Sequence, residues 1–247
     1  MDRIIRITLG LFITILVVTI AFAAYTGYVS NAYQSSRAST YSYTLSITTD
    51  TPLKNVTLFV PVPADQTGNS PFISRLSAHE MPGIPASWQA TLFETGKGTL
   101  LKIHIPSLDT PSGTSPEKPY AVTITTDLVP EKTIDTANPL KNSPVFAPVR
   151  DLAPTTCNGY GSGNGGTPEC ATFVTSLYAD YTTDPDAKVT ITSSVMGRNS
   201  WKIFEPKSNE YSTAVTVLLF GENHGWATMK GTLASRIGSY EVPFRLP

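Results

Sequence analysis

The stretch "YSYTLSITTDTPLKNVTLFVPVP", Tyr41 to Pro63, contains two runs in which apolar and polar residues take turns. In the first, Tyr41, Tyr43, Leu45 and Ile47 fall on one side and Ser42, Thr44, Ser46 and Thr48 on the other. In the second, Val56, Leu58, Val60 and Val62 share a side. A period of two is that of a pleated strand, whose successive side chains point to opposite faces. Asp50, Thr51 and Pro52 lie between the runs as a turn. Each run therefore predicts a strand with one face in a core and the other toward water.

The same signature recurs along the chain. "SWQATLFETGKGTLLKIHI" reads as a hairpin folding at Gly96-Lys97-Gly98, with Leu101, Ile103 and Ile105 inward. "YAVTITTDL" adds a strand through Tyr120, Val122 and Ile124. In "ATFVTSLYADY", Phe173, Val174, Leu177, Tyr178 and Tyr181 also fit a helix face, but the β-branched and aromatic content selects a strand. "AKVTITSSV" is expected to pair with it across Asp184-Pro185-Asp186. "STAVTVLLF" ends almost wholly apolar, as in a central strand buried on both faces. It turns at Gly221 to Gly225 into "WATMKGTLA", and "YEVPF" closes the chain as an edge strand that tolerates Pro243. The expectation is an all-β, antiparallel, sandwich-like domain over residues 40–247.

Between Val129 and Pro168 the prolines at 130, 139, 144, 148, 154 and 168 interrupt any long ladder, since proline lacks the donor a central strand needs. This stretch reads as a Pro/Gly-rich crossing between two halves, 40–130 and 170–247. A linker between two small domains is the alternative.

The N-terminus is different in kind. Ile7 to Ala24, "ITLGLFITILVVTIAFAA", carries no charge and is just long enough for a bilayer, which needs about 20 apolar residues. Arg3 and Arg6 precede it and the next basic residue is Arg37, so the positive-inside rule puts the N-terminus in the cytoplasm. Ala21-Phe22-Ala23 offers a signal-peptidase pattern, but the apolar run exceeds the ~7–15 residues of a signal-peptide core. The reading is an uncleaved signal-anchor over residues 1–25, a polar linker over 26–39, and an extracytoplasmic body.

Export decides the stretch "PTTCNGYGSGNGGTPECAT", Pro154 to Thr172, which holds the chain's 2 cysteines. Gly161, Gly163 and Gly166 match G-x-G-x-x-G, but no buried strand leads into them and no βαβ pattern surrounds them. Ser162 has Tyr160 where a nucleophile elbow needs glycine. Two widely spaced cysteines, with histidines only at 79, 104 and 224, make no zinc pattern. In an oxidising compartment the expectation is a Cys157–Cys170 disulfide that staples the loop.

With 18 Lys+Arg against 19 Asp+Glu, the charge gives no case for a nucleic-acid partner. His104 alternates with Ile103 and Ile105 and reads as a solvent-face strand residue, while His224 lies in a turn beside Trp226. No acid, base or nucleophile constellation emerges, so catalytic, cofactor and metal residues are none. Trp201 and Trp226 fall near turns and are the candidate ligand contacts, because an exposed indole can stack on a sugar or a partner protein. Asn55-Val56-Thr57 is a glycosylation sequon.

The apolar anchor, "NVTLFVPVP", "IDTANPL", the Gly-rich cysteine loop, "GRNSW" and "GENHGW" together resemble uncharacterised exported, membrane-anchored proteins of methanogenic archaea. The resemblance implies a cell-envelope setting and carries over no catalytic residue. The expected function is a non-enzymatic structural or interaction role at the cell surface, through a protein or a glycan. The alternatives are a carbohydrate-binding ectodomain and, third, an exported hydrolase.

Overall fold

The structure, a computed structural model, describes residues 2–77, 84–85, 87–96, 98–146, 151–158 and 167–240. Helix α1 spans Asp2–Ser36 and has the length and composition to cross a membrane, with a mean hydropathy of 2.6 and 0% of its apolar window buried against protein. At 1.5 Å per residue it is about 50 Å long, well beyond a hydrocarbon core of about 30 Å. The extra turns cover most of the stretch read from sequence as a polar linker. They stay helical because they pack: Val29 is buried, Tyr33 meets Trp201 edge-on at 5.8 Å, and the Ser36 hydroxyl accepts from the Lys202 amide at 2.8 Å.

The body begins with β1, Ala38–Thr49, and β2, Leu53–Pro61. After a short helix α2, Ile73–Ser77, come β3, Gln89–Thr95, β4, Gly98–Leu108, and β5, Tyr120–Leu128. A single turn α3, Pro139–Asn142, and the short β6, Ala153–Thr155, follow. Four long strands finish the fold: β7, Glu169–Thr182; β8, Lys188–Lys202; β9, Pro206–Phe220; and β10, Asn223–Gly238. Residues 171–181 are thus strand, as their β-branched and aromatic content dictates.

These strands make one 10-stranded sheet in the order β3-β4-β2-β7-β10-β9-β8-β1-β5, with β6 on the flank of β7. All of its pairings are antiparallel. The expectation of two stacked sheets is corrected: the ladder is continuous and curls into a half-barrel around one core. The reason is twist. Strands twist relative to their neighbours by about 20–25°, and ten of them accumulate enough rotation to bring the inner face around on itself. The strands of both sequence halves belong to that one sheet, and β2 joins β7 across the centre.

The hollow of the curl is filled by the alternating residues expected from sequence, among them Tyr43, Leu45 and Ile47 of β1 and Leu58 and Val60 of β2. Burying such a side chain contributes about 1.5–3 kcal/mol. Phe72 just before α2 and Leu76 within it, with Ile134, Val145 and Phe146 from the crossing, plug the remaining space. Two local expectations are corrected. β7 and β8 are consecutive but not paired, since β7 lies between β2 and β10 while β8 lies between β9 and β1. The apolar end of β9 is not buried on both faces, because Leu218 and Phe220 point outward from the single sheet. "YEVPF" lies almost wholly outside the described residues.

Candidate functional site

The outer face of the sheet should be polar if the core alone governed the sequence. Near one end of β2, β7 and β10 it is not. Phe59, Tyr178 and Trp226 occupy successive register positions, Phe59 opposite Tyr178 and Tyr178 opposite Trp226. Their rings meet edge to face at 5.5 and 5.6 Å between centroids, and Phe93 of β3 extends the row at 5.6 Å from Phe59. Such edge-to-face contacts are favourable by about 0.5–1.5 kcal/mol each. The two ends of the row stand open, Phe93 at 52% and Trp226 at 63% exposure. Lys102 of β4, opposite Phe59, holds its ammonium 5.7 Å from that ring's centroid.

A second row runs alongside. His104, Thr57, Asp180 and His224 occupy matching positions on β4, β2, β7 and β10, two residues along each strand from the first row. Nδ1 of His224 lies 2.7 Å from Oδ1 of Asp180, and Nε2 lies 3.7 Å from Glu222. A carboxylate can only accept, so Nδ1 carries the proton. The hydrogen bond to Asp180, reinforced by the charges of Asp180 and Glu222, raises the exposed imidazole above its ordinary value. Thr57 meets His104 at 3.3 Å. The rows together offer exposed ring surface beside a charged donor–acceptor edge, which suits recognition of a ligand with both apolar faces and hydroxyl or amide groups.

The position of this surface follows from the topology. β1 leaves α1, and β8 returns antiparallel to it, so Lys202 lies beside Ser36. β9 leads away again and β10 returns, with Gly238 opposite Asn209 at the helix end. Trp226, near the start of β10, is therefore about 40 Å along the strand from that end. The aromatic row lies at the end of the sheet far from helix α1.

Of the candidates read from sequence, Trp226 sits at the heart of this surface. Trp201 does not join it: it is 5% exposed and lies under Tyr33 at the helix end of β8. Asn55 is exposed on β2 with φ 52°, where the β2–β7 register shifts between Lys54 and Thr57. Cys157 and Cys170 are joined in a disulfide that ties the segment after β6 to the start of β7. Phe59, Phe93, Lys102, Tyr178 and Asp180 escaped sequence reasoning. A signal existed for some of them. Phe59 between Leu58 and Val60, and Tyr178 between Leu177 and Ala179, are large apolar groups in the phase that faces water.

No family model, curated protein or solved structure matches the chain. Geometry alone carries the functional argument.

Proposed function

We propose that the protein is a membrane-anchored extracytoplasmic β protein with a non-enzymatic interaction role at the cell surface. Its N-terminus is cytoplasmic and its outward-facing aromatic row is the contact surface. The observation that carries the reading is the row Phe93–Phe59–Tyr178–Trp226, laid across non-consecutive strands at the end farthest from the apolar helix. Water-facing positions that serve only the fold do not need four rings in one continuous contact, and an apolar patch rimmed by charge marks a binding surface. The disulfide fits an oxidising compartment, and the uncharged helix preceded by Arg3 and Arg6 fits a single span.

A glycan is the second reading, favoured by one feature. Trp226 presents an exposed indole next to Asp180, Glu222 and His224, the combination of stacking surface and hydrogen-bonding edge that a sugar uses. One experiment covers both. Full-length protein in nanodiscs is mixed with cell envelopes of the source organism, alongside Trp226→Ala and Phe93→Ala. Wild type should sediment with the envelopes and the variants should lose at least about tenfold in affinity, the range for aromatic anchors at a contact centre. Periodate treatment of the envelopes should abolish binding if the ligand is a glycan, and protease treatment if it is a protein. Equal binding by wild type and both variants rejects this surface.

A further inference from the structure

The β8–β9 hairpin has no role in the aromatic row, yet it too exposes a large apolar group. Its turn carries Phe204, 64% exposed, and it descends along α1 rather than away from it. Phe204 stacks on Tyr25 at 6.5 Å and approaches Tyr28 at 6.3 Å. More than two helical turns higher, Lys202 is fixed to Ser36 through both its amide and its carbonyl, so the hairpin cannot swing freely from the helix. A cleft of about 390 Å³ opens beside it, lined by Ser36, Arg198, Lys202, Lys207 and Ser208 among others. The nearby carboxylates are Glu205 in the turn and Glu210, which pairs with Arg198 at 3.7 Å.

The vertical position of these groups is set by the helix. If the span begins at Ile7, a hydrocarbon core of about 30 Å ends about twenty residues later, near Thr26. The headgroup layer beyond it is about 6 Å deep, or roughly four residues of helix, so Tyr25 lies at its inner boundary and Tyr28 within it. Phe204 is held at that same level. Its exposed ring continues, through the two tyrosines, the apolar surface that the span already presents to lipid.

We infer that the β8–β9 hairpin is a second membrane contact: Phe204 enters the outer headgroup layer beside Tyr25 and Tyr28, and Lys202 and Lys207, higher on the hairpin, add an attraction to the surface of an anionic leaflet. Aromatic rings favour this depth, and basic side chains within a Debye length of an anionic lipid surface are drawn to it. Two points of attachment fix the tilt of the sheet, which holds the aromatic row outward. The inference rests on the anchored reading above.

The test uses full-length protein reconstituted in vesicles of phosphatidylcholine with brominated acyl chains, with or without phosphatidylglycerol. Flotation after alkaline carbonate reports the anchor independently of the hairpin. Phe204→Trp keeps a ring at the tip and adds a fluorophore. It should be quenched by bromolipid, whereas wild type, whose Trp226 is remote and whose Trp201 is buried under Tyr33 above the headgroup layer, should show little quenching. Reversing Lys202 and Lys207 to Glu in that background should shift the docked fraction in anionic vesicles by about fivefold per residue, with flotation unchanged. Protein that floats but shows no quenching of Phe204→Trp overturns the inference and leaves the anchor standing. Quenching indifferent to lipid charge and to the reversals overturns the assignment of the cations. Failure to float overturns both readings.

Discussion

Gly197, in "GRNSW", lies directly opposite Tyr211 on the neighbouring strand, and a Cβ there would collide with the Tyr211 ring. Gly231 opposite Phe173 repeats the arrangement. In both cases a buried ring lies flat over a strand that has no side chain to lift it. The Tyr211 ring cannot move aside, because it is fully buried and its hydroxyl donates to the Pro144 carbonyl at 2.8 Å. Gly197→Ala should therefore destabilise the fold by about 1–3 kcal/mol, the usual cost of an added methyl in a filled core. Denaturant unfolding in detergent checks this. Unchanged stability would mean that the ring relaxes at no cost. The rest of "GRNSW" is equally structural: Asn199 binds both the amide and the carbonyl of Ile134, and Trp201 supports Tyr33.

The crossing from Val129 onward owes its order to such contacts. Asn199 clamps it at Ile134, Asn209 accepts from Thr136 at 2.8 Å, and Tyr211 holds Pro144. The disulfide secures its far end, where β6 adds only three residue pairs to β7. A closed loop with a sequence separation of 13 corresponds to about 3 kcal/mol in the chain-entropy account. Replacing Cys157 and Cys170 together by serine should lower unfolding stability by about 2–4 kcal/mol while the far-ultraviolet sheet spectrum persists, since the Asn199 and Tyr211 anchors remain. Loss of the spectrum would show that the staple, rather than those anchors, organises the crossing.

The whole curl buries an unusual set of phenols in its single core. Burial pushes Tyr43 and Tyr181 up to about 12 and raises Tyr211 well above its ordinary value, against about 10 for an unfolded chain. A raised value means that the fold favours the neutral phenol. That stability is complete below about pH 10 and is lost as pH climbs from there through about 12. Ultraviolet titration of tyrosinate should show the exposed tyrosines ionising first and the buried group only with cooperative unfolding. Ionisation of all 11 tyrosines near their ordinary value, with the sheet intact, would contradict the packing.

The alternating parts of β1 to β5 and of β7 to β10, the inward residues of β1, β2 and β4, the β3–β4 and β9–β10 connections, the apolar helix and the disulfide were legible in the chain, because each is encoded locally. Alternation, turn residues, a charge-free run and a lone pair of cysteines act over a few residues or admit one partner. The neighbours of each strand were not legible. Pairing β2 with β7 spans more than a hundred residues, and many orders satisfy the same alternation, so a sandwich and a single curled sheet look alike in sequence. The aromatic row depends on that choice: Phe59, Tyr178 and Trp226 are far apart in the chain, and the β2–β7–β10 order alone sets them side by side. The same fold leaves Trp201 beneath helix α1 and Trp226 in the open, although both lie beside turns in the sequence. Their difference is one of strand direction and packing, which no local pattern records.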